Sequence, residues 1–133
     1  MRFELIDRVV EREPERLTAI KTVSLAEEYL ADHFPGFPVL PGVMMLEALV
    51  QAGRELAAGL DPAAAGPLVL AEVRNVKYGQ MVRPGQALHV QVTLRGRDDA
   101  GLALEGRGTV DGELAVAGRF RLLPARAHVA GGR

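Results

Sequence analysis

His33 and Glu47 are the two side chains whose types and spacing point most directly to chemistry. An imidazole exchanges protons near neutral pH, and a carboxyl group can supply or receive the matching proton, so the two together form a candidate acid–base pair. Between them runs Phe34-Pro35-Gly36-Phe37-Pro38-Val39-Leu40-Pro41-Gly42. Each proline locks φ and removes a backbone donor, and each pushes the residue before it towards extended geometry. A helix or a central strand over 33–41 is therefore excluded, and a stiff loop is expected there.

Pro41 ahead of a periodic apolar run marks a helix start, predicted at about Gly42 and running to Ala58, with Gly59 as its C-terminal stop. Val43, Met44, Met45, Leu46, Leu49 and Val50 leave this helix few polar positions, as befits a central, covered element. Gly53 inside it weakens the helix by about 1 kcal/mol relative to alanine, which predicts a close neighbour. Glu47, Gln51 and Arg54 fall at i, i+4 and i+7, on one narrow stripe. Beside Val43, Met44 and Val50, partial burial makes Glu47 a candidate proton donor.

Each feature alone has a plainer explanation. A Glu-Gln-Arg stripe is commonly the wet face of a helix, and a histidine next to Asp32 is commonly a surface residue. The joint arrangement favours a site. His89 in a strand and His128 near the end read as solvated or structural, and no phosphate-binding glycine loop or metal-spaced cluster is present.

Three blocks, His33-Phe34-Pro35-Gly36, Pro38-Val39-Leu40-Pro41-Gly42-Val43 and Leu46-Glu47-Ala48-Leu49-Val50-Gln51, resemble the signature of the β-hydroxyacyl-[acyl carrier protein] dehydratases of fatty acid synthesis. The resemblance extends weakly over nearly the whole chain, through Phe3–Val9, Ala19–Ser24 and Val82-Arg83-Pro84-Gly85. It implies a hotdog fold, an α+β architecture in which an antiparallel sheet of about six strands wraps one long central helix. It implies a hydro-lyase that converts β-hydroxyacyl thioesters into trans-2-enoyl thioesters, with His33 and Glu47 as the catalytic pair. Backbone N–H groups at Gly42 and Val43 would polarise the thioester carbonyl. Phe34, Phe37, Val39, Leu40 and Pro41 would be the substrate-binding residues, with core packing as the other role open to the loop's apolar side chains. No metal or other cofactor is expected, since the substrate rides on the phosphopantetheine of acyl carrier protein. That carrier and a second copy of the chain are the expected partners. The homodimer would place His33 of one subunit against Glu47 of the other, and a trimer of dimers would be the larger assembly.

The chain departs from that pattern in places. Lys77-Tyr78-Gly79-Gln80-Met81 stands where a basic–aromatic–basic run leading to proline is usual, Gln86 replaces an acid, and Phe37 occupies a variable position. These bear on carrier-protein docking and on the substrate-gating loop, and they leave room for a specialised lipid or polyketide pathway. Arg74, Lys77, Arg83, Arg95 and Arg97 are candidates for a basic rim facing an acidic carrier. Two alternatives belong to other classes: a hotdog acyl thioesterase, and a non-catalytic acyl-binding subunit of a heteromeric dehydratase.

Composition is compatible with this. A chain of 133 residues is long enough for one real core, read as a single domain over 1–123 with a flexible tail over 124–133. There is no cysteine, hence no disulfide and no thiolate metal site. A net charge of −1 and the absence of tryptophan argue against nucleic-acid binding. No apolar run reaches membrane-spanning length and the charged start is unlike a signal peptide, so a cytoplasmic protein is expected.

Alternation predicts strands at Phe3–Val10, Arg16–Val23, Leu68–Tyr78, Ala87–Arg97, Leu102–Val110 and Glu113–Leu123, with a short helix over Leu25–Ala31. Turns are expected at Glu11–Glu15, Arg83-Pro84-Gly85, Asp98–Gly101 and Asp111-Gly112, and a linker at Asp61–Pro67.

Overall fold

The computed structural model describes residues 6–23, 40, 42–60, 68–98 and 100–124. In chain order these form β1 (Arg8–Glu13), β2 (Arg16–Thr22), α1 (Gly42–Leu60), β3 (Leu68–Tyr78), β4 (Ala87–Arg97), β5 (Leu102–Val110) and β6 (Glu113–Pro124). The strands make one antiparallel sheet in the order β1-β2-β4-β5-β6-β3. The expected α+β class is what the chain adopts.

Turn chemistry sets the hairpins. Asp111 (φ 51°) and Gly112 (φ 80°) are consecutive left-handed residues, the pair a tight β5–β6 hairpin needs to match the strand twist. Between β3 and β4, Pro84 and Gly85 (φ 92°) form the centre of a turn closed by the Gln86 N–H on the Arg83 carbonyl at 3.0 Å. The Asp98 carboxylate closes the β4–β5 connection by accepting the N–H groups of Ala100 and Gly101, both at 2.9 Å.

Alternate residues of the middle strands face α1. Leu17 and Ala19 of β2, Leu88, Val90 and Val92 of β4, Leu104 of β5, and Phe120 and Leu122 of β6 are buried with Met45, Ala48, Leu49, Ala52 and Leu56 of the helix. Each large side chain so buried contributes about 1.5–3 kcal/mol. The helix follows β2 and leads into β3, which takes the opposite edge of the sheet beside β6.

Five boundaries differ from expectation: β1 starts at Arg8, after Ile6 and Asp7, and β2 ends at Thr22, one residue before Val23. β1 continues to Glu13 and only Pro14-Glu15 turn. A bulge between Val9 and Glu11 breaks the apolar–charged alternation, and the strand continues beyond it. α1 passes through Gly59 to Leu60, and Gly59 does not have the left-handed φ of a helix stop. A Cβ at Gly59 would lie 2.9 Å from Arg12 Nη1, and that same nitrogen donates to the Glu55 carbonyl at 2.9 Å. The neighbour of this glycine is thus the end of the Arg12 side chain, which reaches across from β1. Pro124, assigned to the tail, closes β6 opposite Leu68. The predicted Leu25–Ala31 helix, the Asp61–Pro67 linker and the tail beyond Pro124 lie outside the described residues.

Candidate active site

Glu47 lies in the second turn of α1, on the side of the helix away from the sheet. The buried residues of α1 are Met45, Ala48, Leu49, Val50, Ala52, Gly53 and Leu56. Glu47, Gln51 and Arg54 are each only partly covered. The Glu47 side chain is 42% exposed, more open than its apolar neighbours suggested, because one sheet covers only one side of a helix. Arg54 Nη1 lies 3.4 Å from Glu47 Oε1, and Arg54 Nε donates to the Leu68 carbonyl at 3.1 Å. The stripe read from spacing is thus a physical contact, and its far end is tied to the first residue of β3.

The start of the same helix is built by a different neighbour. A Cβ at Gly42 would meet the Tyr78 ring at 3.0 Å from Cε1 and 3.2 Å from Cζ. Gly42 has no left-handed φ, so no turn conformation demands a glycine here, and what a side chain would meet is the half-exposed Tyr78 ring. Val43 is 68% exposed, and the first turn carries no acidic side chain to cap its N–H groups. Tyr78 closes β3. Its contact with Gly42 joins elements that alternation cannot relate.

The connection from β3 to β4 carries both ends of the 24–39 segment. Gly79 and Gln80 N–H groups bond the carbonyls of Ala115 and Leu114. The Leu40 N–H bonds the Val82 carbonyl at 2.8 Å. Val23 exchanges bonds with the same connection, donating to Gln86 at 3.0 Å and accepting from Gly85 at 2.9 Å. The chain therefore leaves at Val23 and returns at Leu40 along one anchored stretch, next to the start of α1. His33, Phe34, Phe37, Val39 and Pro41 fall outside the described residues. Leu40, a candidate for substrate contact or core packing, is 2% exposed and packs in the core.

Of the basic residues read as a rim, Arg74 and Arg95 line one groove together with Arg119 and Arg121. Arg74 and Lys77 lie on edge strand β3, and Arg95 and Arg97 lie on β4, two strands further in than β6. Acids interleave them: Arg74 pairs with Glu72, and Arg95 and Arg119 share Glu105 at 2.6 and 3.3 Å. The Arg95 hydrogen bond, with help from Arg119, holds the Glu105 carboxyl below the usual glutamate range against a smaller effect of burial. Shallow grooves between these side chains lie on the outer sheet face, away from Glu47. His89 is exposed on β4. Among the described residues no group of His, Cys, Asp and Glu could hold a metal, and no helix is long and apolar enough to cross a membrane.

A long helix laid on one face of a six-stranded antiparallel sheet in this order defines a hotdog protein. Known proteins agree. The FabA-like domain model matches residues 1–119. A 3-hydroxyacyl-[acyl-carrier-protein] dehydratase FabZ of Lactococcus lactis is 41% identical over 117 residues, 87% of this chain and 81% of the relative. Another FabZ, from Magnetococcus marinus, is 42% identical over 116 residues, 85% of this chain and 76% of the relative. Among solved structures, the dehydratase heterocomplex ApeI:P from Xenorhabdus doucetiae superposes with a TM-score of 0.81 at 19% identity, covering 96% of this chain and 88% of the other. The chain belongs to the FabA-like family.

Proposed function

We propose that this protein is a hydro-lyase that removes water from β-hydroxyacyl thioesters on acyl carrier protein, giving trans-2-enoyl thioesters. The observation that carries the reading is the joint position of Glu47, the start of α1 and the two anchored ends of the segment that contains His33. FabZ enzymes, at about two identical residues in five, supply the reaction class.

In this reading His33 takes the α-proton of the thioester, and the electrons of that C–H bond form the new double bond as the β-hydroxyl leaves as water. Glu47 donates the proton that turns the hydroxyl into water; in the other arrangement His33 passes the proton it took from the α-carbon to the hydroxyl, and Glu47 holds the departing water. Gly42 and Val43 N–H groups stabilise charge on the thioester oxygen as the enolate develops. Phe34, Phe37, Val39 and Pro41 bind the acyl chain. The reaction is written without a metal or redox cofactor.

A second copy completes the site, with His33 of one subunit facing Glu47 of the other. The support is the unfinished helix face, with Val43 68% exposed, and the apolar Leu70, Tyr78 and Met81 exposed on β3 and just after it. The assembly is a dimer, and three dimers make the working particle. We read the protein as cytoplasmic, alongside the acyl carrier protein it is proposed to act on.

The test is incubation with a β-hydroxyacyl carrier-protein thioester, followed by mass spectrometry of the carrier. Loss of water is expected. Loss of the whole acyl chain would make the protein a thioesterase, and an unchanged carrier would make it a non-catalytic subunit.

A further inference from the structure

We infer that Arg54 is a positioning residue for Glu47, acting as a two-ended tether between the helix and the start of β3. The inference rests on the dehydratase reading and adds a residue to it. Arg54 Nε donates to the Leu68 carbonyl at 3.1 Å, while Nη1 of the same guanidinium lies 3.4 Å from Glu47 Oε1. Seven residues separate the two side chains along α1, about 10.5 Å of helix rise and nearly two whole turns, so both project from the same face.

A guanidinium is planar and rigid, so fixing one edge on a main-chain carbonyl orients the other edge as well. A lysine has one nitrogen and cannot span both partners in a fixed fork. Among the described residues Arg54 is the hydrogen-bond donor to Glu47, and it engages one carboxylate oxygen. The other oxygen is left for the reacting hydroxyl. The two side chains are 37% and 42% exposed, so the pair adds little to stability. Its effect belongs to the direction of the carboxylate, and small misplacements of a catalytic group are costly in rate.

The test is a double-mutant cycle on the full-length protein. Arg54→Met is made alone and in the Glu47→Gln background, with kcat, KM and Tm measured for each on the carrier-bound substrate. Arg54→Met alone should lower kcat roughly five- to tenfold, with KM and Tm near wild type, and Arg54→Lys should recover part of that loss. In the Glu47→Gln background, Arg54→Met should cost nothing further. Equal losses in both backgrounds, a loss that follows Tm, or full activity in Arg54→Met would each overturn the tether. Wild-type protein that does not dehydrate the substrate would overturn the dehydratase reading itself, and this role with it.

Discussion

The Tyr78 ring lies so close to Gly42 that a β-carbon on Gly42 would stand 3.0 Å from Cε1. The last residue of β3 thus covers the first residue of α1, where the thioester carbonyl is proposed to bind. Tyr78 is 51% exposed, so its ring has room to yield. Gly42→Ala should therefore fold and melt like wild type but turn over more slowly. Adding Tyr78→Ala separates two causes. Recovery of rate would assign the loss to the displaced ring, and persistence would assign it to crowding of the carbonyl. Unchanged turnover in Gly42→Ala would remove the carbonyl from this helix start.

His33→Ala and Glu47→Ala should each lower dehydration by roughly 10²-fold or more, the scale of positioned acid–base groups. Glu47→Gln should be almost as damaging if proton donation matters. Steady-state kinetics on a carrier-bound substrate decides this, and near-wild-type turnover in either alanine variant would take that residue out of the mechanism.

Mixing the two inactive alanine variants should restore activity if each site draws on two subunits. Random exchange makes about half of the dimers mixed, and one of the two sites in each is intact, so recovery should approach roughly a quarter of wild type. Exchange without recovery, with mixed dimers verified by mass spectrometry, would place the pair within one chain.

Gly53→Ala tests the core. Helix propensity favours alanine by about 1 kcal/mol. Yet the added Cβ would lie 2.9 Å from Phe120 Cε2 and 3.1 Å from Leu104 Cδ1, both buried in the core. Overpacking of this kind costs about 1–3 kcal/mol, so packing should outweigh propensity and urea unfolding should show net destabilisation. Phe120→Leu in the same chain should relieve part of it.

Glu105 links stability to pH. Arg95 holds its carboxyl below the ordinary range in the folded chain, so the folded state binds this proton less readily than the unfolded state. The contribution is complete above the unfolded glutamate pKa of about 4.3 and is lost as pH falls through the lower folded value. Because the arginine partners are largely exposed, about 0.2–1 kcal/mol is at stake. Glu105→Gln should melt slightly lower than wild type at pH 7, and the gap should narrow as the pH is taken into the acid range.

The chain's own order of residues determined a good deal. The sequence located β3, β4 and β5 at the bounds observed, and in β4 and β5 side chains alternate between core and solvent whatever the partner strand. Asp111-Gly112 specified a hairpin by its backbone preference, and Pro41-Gly42 specified where the helix begins. Spacing put Glu47, Gln51 and Arg54 on one stripe, and the motif around them pointed to the family. These signals are local, carried within a few residues. Tertiary structure decided what depends on chain segments meeting across the fold. It placed β3 beside β6, brought Tyr78 onto Gly42 and Arg12 under Gly59, buried Leu40, and tied Arg54 to Leu68 as well as to Glu47. Such contacts bring together residues far apart in the chain, and which of many possible partners meet is settled by burial of the whole core, a sum that no short stretch of sequence contains.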